Sequence, residues 1–357
     1  MESDKIKIGI TQGDLNGIGL ELVFKTFSNA GMLDLCTPVL YASAKAATYH
    51  RKAISSETNF HIVKSAAEAQ PGVLNLVNCF DEEVKIEFGK PSVDSGRAAL
   101  AALENSVEEY KSGLIDAIVT APISKSDIQS PNFQFKGHTE FFADRVGNGQ
   151  QPLMILMNNQ MKVALLSTHV AVRDIPAQLT QEALMEKLRI FHKSLRIDFR
   201  ISIPRIAVLA LNPHAGDDGL LGSEEKEIII PAISELEKES IFCFGPFAAD
   251  GFFGAGLYRE FDGVMAMYHD QGLAPFKALS MDDGVNFTAG LPLVRTSPDH
   301  GTAYDIAGKG VANENSFRQA IYTAIDVLRN RKLEKEMFTH RLVSPSESSK
   351  DENSQKN

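Results

Sequence analysis

An α/β fold, with a parallel sheet covered by helices on both faces, is what the sequence predicts, and three observations predict it. Short β-rich apolar runs alternate with stretches of helical periodicity, the pattern of repeated βαβ units. The length of 357 residues and a hydrophobic content of 43% suit two domains or one large α/β unit with a sizeable core. The chain also shows no internal repeat. In order, Ile6 to Ile10 reads as a strand, a glycine-containing loop follows, and a helix runs from about Leu20 to Phe27. From Gly96 to Lys111, Leu100, Leu103, Val107 and Tyr110 recur at helical spacing, ahead of a strand over Ile115–Thr120. Val163–Ser167, Ile206–Leu211 and Val264–Met267 are further short strands. The helices between them carry Leu184, Leu188, Phe191 and Leu195 on one face, and Ile229, Ile233 and Leu236 on another. Phe317, Ile321, Ala324 and Leu328 stripe a late helix, and Pro345–Asn357 has no apolar anchor and reads as a disordered tail.

Charge and cysteine usage narrow the function classes. Lys and Arg number 36 against 46 Asp and Glu, a net charge of −10 that argues against a nucleic-acid or anionic-membrane surface. It leaves room for a local basic pocket around a small phosphate ester. Cys36, Cys79 and Cys243 lie far apart without a C-x-x-C spacing, so neither a zinc ribbon nor a disulfide framework fits, and a reduced cytoplasmic setting is expected. The charged start Met1–Lys5 runs into a strand without an apolar signal region, and no apolar run reaches the roughly 18 residues that span a bilayer.

Three histidines each follow a short apolar strand: His169 after Val163–Thr168, His214 after Ile206–Pro213, and His269 after Val264–Tyr268. Open parallel sheets gather ligands at the carboxyl ends of their strands. Three imidazoles delivered there could hold one divalent cation with a position left open, the catalytic pattern for zinc. Any one of them alone reads more readily as a satisfied core or surface residue, and the repetition at equivalent places is what favours a site. Gly13-Asp-Leu-Asn-Gly-Ile-Gly19 is either an anion cradle at a helix start or only a tight turn. In Gly137-His-Thr-Glu140, Thr139 reads either as a helix N-cap or, with His138, as a hydrogen-bond donor to a phosphate or carboxylate. Lys277, Asn286 and Arg295 together form the cationic and polar set that a small anionic substrate requires.

Five ordered motifs now carry a resemblance. Thr11-Gln-Gly-Asp-x-x-Gly-Ile-Gly19, Val119-Thr-Ala-Pro-Ile-Ser-Lys125, Gly137–Glu140, Asn212-Pro-His-Ala-Gly216 and Tyr268-His-Asp-Gln-Gly272 resemble the 4-hydroxythreonine-4-phosphate dehydrogenase (PdxA) family of vitamin B6 biosynthesis, from about residue 6 to 330. The resemblance implies a three-layer αβα, isocitrate/isopropylmalate dehydrogenase-like fold, two domains with the active-site cleft between them, an NAD cofactor and a homodimer with shared active sites. By motif position it implies metal ligation by His169, His214 and His269, with zinc first and cobalt, magnesium or manganese as alternatives. It implies substrate contacts from His138, Thr139, Lys277, Asn286 and Arg295, and places Asp250 near the metal, where it is the candidate for proton transfer. The expected domains are 1–130 plus 286–344, and 131–285.

His300-Gly-Thr-Ala-Tyr-Asp-Ile-Ala-Gly-Lys-Gly-Val-Ala-Asn313 is similar to the adenosine-binding loop of isopropylmalate and isocitrate dehydrogenases. The similarity implies dinucleotide contacts from His300, Gly301, Ala303, Asp305 and Asn313. The reaction expected is NAD-dependent oxidation of 4-phosphohydroxy-L-threonine followed by decarboxylation. The alternatives are oxidation of 4-phospho-D-threonate or 4-phospho-D-erythronate and, from another class, a phosphate acyltransferase of the same fold.

Overall fold

The structure is a computed structural model that describes residues 5–280 and 282–339. The expected tail at Pro345–Asn357 lies outside the described residues. The strands are β1 (Lys7–Thr11), β2 (Thr37–Ala42), β3 (Phe60–Val63), β4 (Leu74–Asn78), β5 (Ala117–Thr120) and β6 (Leu153–Met157). They continue as β7 (Lys162–Leu165), β8 (Arg205–Leu209), β9 (Phe242–Phe247), β10 (Gly263–Ala266), β11 (Val285–Ala289) and β12 (Val294–Pro298). All belong to one sheet in the order β3-β4-β2-β1-β5-β12-β11-β6-β7-β10-β8-β9.

Alternation along the strands makes the three layers. In β2, Leu40 and Ala42 join one apolar cluster with the Gly19–Phe27 and Asn315–Thr339 helices, through Leu20, Val23, Phe317 and Ile321. Val39 and Tyr41 turn to the other face and meet Ala99, Leu103 and Val107 of the Val93–Lys111 helix. Period-two side chains on a sheet sandwiched between helices require this division. In the other wing, Leu184, Leu188, Phe191 and Leu195 of the Gln181–Ile197 helix cover one face, and Phe252 and Phe276 cover the other. Each such fully buried Leu or Phe contributes about 1.5–3 kcal/mol of hydrophobic stabilisation.

Both wings of the sheet are parallel, as expected, but its centre is not. The β12–β11, β11–β6 and β6–β7 pairs are antiparallel. Short connections dictate the first and last of these pairs. β6 reaches β7 through a turn in which Asn158 Oδ1 accepts from Gln160 N and Met161 N at 2.9 and 3.0 Å, and a parallel link would need a dozen or more residues. Likewise β11 turns into β12 at Gly290, whose φ of +84° is left-handed. The antiparallel centre is where the two wings meet, and the cleft opens there.

Candidate active site

A cavity of about 250 Å³ sits over the centre of the sheet. Its floor comes from β5 (Thr120), β11 (Asn286) and β12 (Arg295, Ser297), and its walls from the His138–Val146 and His269–Leu279 helices. Of the residues expected to contact substrate, His138, Thr139, Lys277, Asn286 and Arg295 all line it. His169, His269, His300 and Gly301 line it as well.

Arg295 is only 2% exposed, and its guanidinium donates to Thr120 Oγ1 at 2.6 Å and to Thr288 Oγ1 at 3.4 Å. Its Nε is buried without a partner. Burial pulls its pKa down to about 9, opposed by the Glu140 charge, so it remains a cation at neutral pH. His138 is held well below the usual imidazole range by burial, then by the charges of Arg295 and Lys125, and its Nε2 is a second unpartnered buried atom. Asn286 Oδ1 and His300 Nε2 are two more. With Glu140 Oε2 they make five; buried polar atoms seldom go unmatched, so a cavity ringed by them is a binding site waiting for a polar ligand. The helix beside it begins at His138 with Gly137 before it and no side-chain cap. The Thr139 hydroxyl is therefore not the N-cap, which removes one of its two readings.

The cavity also recruits side chains to which the sequence assigned no role. Lys125 Nζ lies 3.1 Å from His169 Nε2. An ammonium can only donate, so this Nε2 accepts and the ring proton sits on Nδ1, which faces Glu140 Oε1 at 3.4 Å. Burial works against the Glu140 carboxylate, but the hydrogen bond from His169, its own backbone N–H and the Lys125 charge outweigh it and hold its carboxyl below the usual range. Asp299, pushed up by burial against the pull of Lys277, sits 3.6 Å from Lys277 Nζ. Lys125 and Glu140 stand inside recognised motifs, yet only the fold shows that they meet at His169.

The histidine triad is brought together only in part. β7, β10 and β8 are sheet neighbours, and His169 and His269 converge from the first two with ring centroids 6.5 Å apart. His269 Nδ1 is 2.7 Å from Asp270 Oδ1, and His169 Nδ1 faces Glu140. A carboxylate that fixes the far ring nitrogen is the usual support of a metal-binding imidazole. His214 goes elsewhere. Residues 214–218 all have left-handed backbone, with φ between 43° and 80°, and the turn carries His214 to the surface outside the cavity. Left-handed residues other than glycine cost about 1–2 kcal/mol each, so the surrounding structure must hold this turn. Glu225, 2% exposed, accepts from Leu211 N and Asn212 N at 2.9 and 2.8 Å and from Asn212 Nδ2 at 3.0 Å. Among the described residues no three metal-type donors gather in one chain. Two imidazoles, His169 and His269, therefore meet at this cavity, with His169 Nε2 turned to Lys125 Nζ, and His214 does not join them.

Asp250, on the Ala249–Gly254 helix, is exposed and outside the cavity. Ala303, Asp305 and Asn313 also lie outside it, on a loop that leads away from His300. The early glycine loop is a buried turn: a Cβ at Gly13 would stand 2.4 Å from Pro122 O, and one at Gly17 2.9 Å from Thr302 O. Its glycines permit close packing and form no part of the cavity wall.

The layered sheet and the titratable groups around its central cavity are those of an α/β enzyme. Known proteins sharpen that class. The family described as Pyridoxal phosphate biosynthetic protein PdxA matches residues 34–324. A 4-hydroxythreonine-4-phosphate dehydrogenase of Bacteroides thetaiotaomicron is 64% identical over 335 residues, covering 94% of this chain and 92% of that protein. One from a Sulfurihydrogenibium species is 40% identical, covering 92% of this chain and 100% of its own. Among solved structures, the 4-hydroxythreonine-4-phosphate dehydrogenase of Klebsiella pneumoniae superposes with a TM-score of 0.78 at 31% identity, over 92% of this chain and 99% of that one. The chain belongs to the PdxA family.

Proposed function

We propose that the protein oxidises the secondary alcohol of 4-phosphohydroxy-L-threonine with NAD, in the making of pyridoxal phosphate. The product, 2-amino-3-oxo-4-phosphohydroxybutanoate, is a β-keto acid and loses CO2 to give 3-amino-2-oxopropyl phosphate. One observation carries the reading: a cavity with unsatisfied buried polar atoms and two lysines is lined by a pair of carboxylate-oriented imidazoles. The names of the relatives support it.

Arg295 and Lys277 neutralise the phosphate, and the N–H groups of Arg295 left over from Thr120 and Thr288 form charge-assisted bonds to its oxygens. Thr139, His138 and Asn286 fix the orientation of the bound molecule. NAD would supply the hydride acceptor, lying along the His300–Asn313 loop with His300, Gly301, Ala303, Asp305 and Asn313 against its adenosine end. The Asp305 carboxylate accepts from a ribose hydroxyl and repels an added 2′-phosphate, which favours NAD over NADP.

A divalent cation, zinc first, would supply positive charge at the alcohol oxygen. In this reading His169 and His269 hold it, and His214 completes the set from a second copy, because its own turn points it away from its own cavity. Proton transfer by Asp250 carries the same condition. We read 1–130 plus 286–344 and 131–285 as the two units that meet at the cleft. The test is NAD reduction followed by absorbance with 4-phosphohydroxy-L-threonine, 4-phospho-D-threonate and 4-phospho-D-erythronate, before and after chelation. The first should be turned over fastest and only with metal present. A preference for either of the others would reassign the substrate, and full rate after chelation would remove the metal.

A further inference from the structure

We infer that Tyr304 is a positioning residue for the dinucleotide: its hydroxyl locks the His300–Asn313 loop in its binding shape before the cofactor arrives. The inference rests on the reading of that loop as the cofactor site. The loop is tied to the first βα unit at three places. Thr302 O accepts from Ile18 N at 3.1 Å. At the far end, Ala312 N donates to Glu21 Oε1 at 2.8 Å while Ala312 O accepts from Lys25 Nζ at 2.7 Å. Between them stands Tyr304, whose hydroxyl donates to Asp14 Oδ2 at 2.9 Å and lies 3.4 Å from Asp127 Oδ2.

Neither carboxylate is a chance neighbour. Asp14 is 1% exposed, and its other oxygen is occupied by Asn16 N at 2.8 Å. Asp127 is anchored by Ser92 N at 3.1 Å and lies two residues from Lys125 of the cavity wall. One phenol thus joins three segments: the cofactor loop, the turn after the first strand, and the segment that carries Lys125. The backbone around it is close-packed as well. Ala303 is left-handed at φ 46°, and a Cβ at Gly89 would stand 2.7 Å from Tyr304 O, so the backbone here is held tightly against its neighbours. With Tyr304 turned inward, the next residue, Asp305, is exposed. Outward presentation of that carboxylate is what contact with a ribose requires. Ordering a loop in advance removes that cost from the binding step.

The experiment compares wild type, Tyr304→Phe and Asp305→Asn by equilibrium NADH binding, thermal melting and steady-state kinetics. Tyr304→Phe keeps the ring and removes only the hydroxyl. It should weaken NADH binding and raise the NAD KM by about tenfold, as expected for loss of a hydrogen bond to a charged acceptor. Its kcat and the KM for the phosphorylated alcohol should stay near wild type. Unchanged NADH affinity in Tyr304→Phe, with wild type binding normally, overturns the inference. A melting point lowered together with every kinetic constant also overturns it, because Tyr304 would then be a structural anchor only. Wild type that binds no dinucleotide would instead sink the cofactor reading itself.

Discussion

The Arg295 wall of the cleft and the Asn212–Gly219 turn hold functional side chains in opposite ways. Arg295 is enclosed by the sheet, anchored to two threonines and stripped of water before any ligand binds. His214 rides on an exposed turn whose backbone is left-handed at five successive residues and is braced from beneath by Glu225. Preorganised burial suits a pocket that one chain completes alone, because a desolvated cation gains most when an anion enters. Exposed strain suits a ligand offered outward, as the proposed second copy requires. In the proposed reading, the phosphate half of the site is whole in one chain, whereas the metal half takes His214 from a second copy.

Four expected outcomes break or sharpen this contrast. The largest is at the imidazoles. His169→Ala, His269→Ala or His214→Ala should each lower kcat by about a thousandfold or more, the scale of losing charge stabilisation at the reacting oxygen. All three should melt like wild type by calorimetry. Normal turnover in His214→Ala would dismiss the turn from the site. On the buried wall, Arg295→Ala and Lys277→Ala should lower kcat/KM for the phosphorylated substrate by about a hundredfold, through loss of charge-assisted bonds. Affinity for NADH should hold; if it fell in parallel, those cations would belong to the cofactor instead.

The first two outcomes turn on residues that were unequally legible in the sequence. His169 and His269 were readable because each follows a strand, and Lys277 and Arg295 because cations gathered after His269. The apolar runs of β1, β7, β8 and β10 were readable too. β6 was not, since Leu153–Met157 is a short apolar run without a period of its own, and strand direction leaves no trace in hydropathy. The same limit hid the antiparallel centre of the sheet. Asn212–Asp218 signals five left-handed residues only weakly: one of the five is a glycine, and His and Asp enter that region more readily than most residues but seldom in succession. The meeting of Lys125, His169 and Glu140 joins three distant segments and exists only in the folded chain.

A smaller effect is expected at Gly216, with φ +80° and a notional Cβ 2.7 Å from Glu225 Oε2. Gly216→Ala should lower kcat by about tenfold through displacement of His214, with NADH binding unchanged; strain of this kind costs about 1–3 kcal/mol. An unaffected variant would mean that the turn need not hold its shape. The smallest concerns pH. Arg295 binds phosphate as a cation, and its pKa is lowered to about 9 by burial. Free-enzyme affinity for the phosphorylated substrate is therefore present below that pH and lost as pH rises through it, while an Arg at its ordinary value would hold on to higher pH. The KM measured between pH 7 and 10 should climb severalfold, and a flat profile would show that the buried guanidinium keeps its proton throughout.

The contrast is tested most directly by mixing impaired variants. His214→Ala and Lys277→Ala are unfolded and refolded together at equal concentration. In a symmetric dimer each mixed pair regains one intact site, so about a quarter of wild-type activity should return. Arg295→Ala mixed with Lys277→Ala should recover nothing, because both residues serve the same chain's cavity. Recovery in the second mixture, or none in the first when mixed dimers are confirmed by mass, would contradict the division of the site into a phosphate half held by one chain and a metal half completed by another.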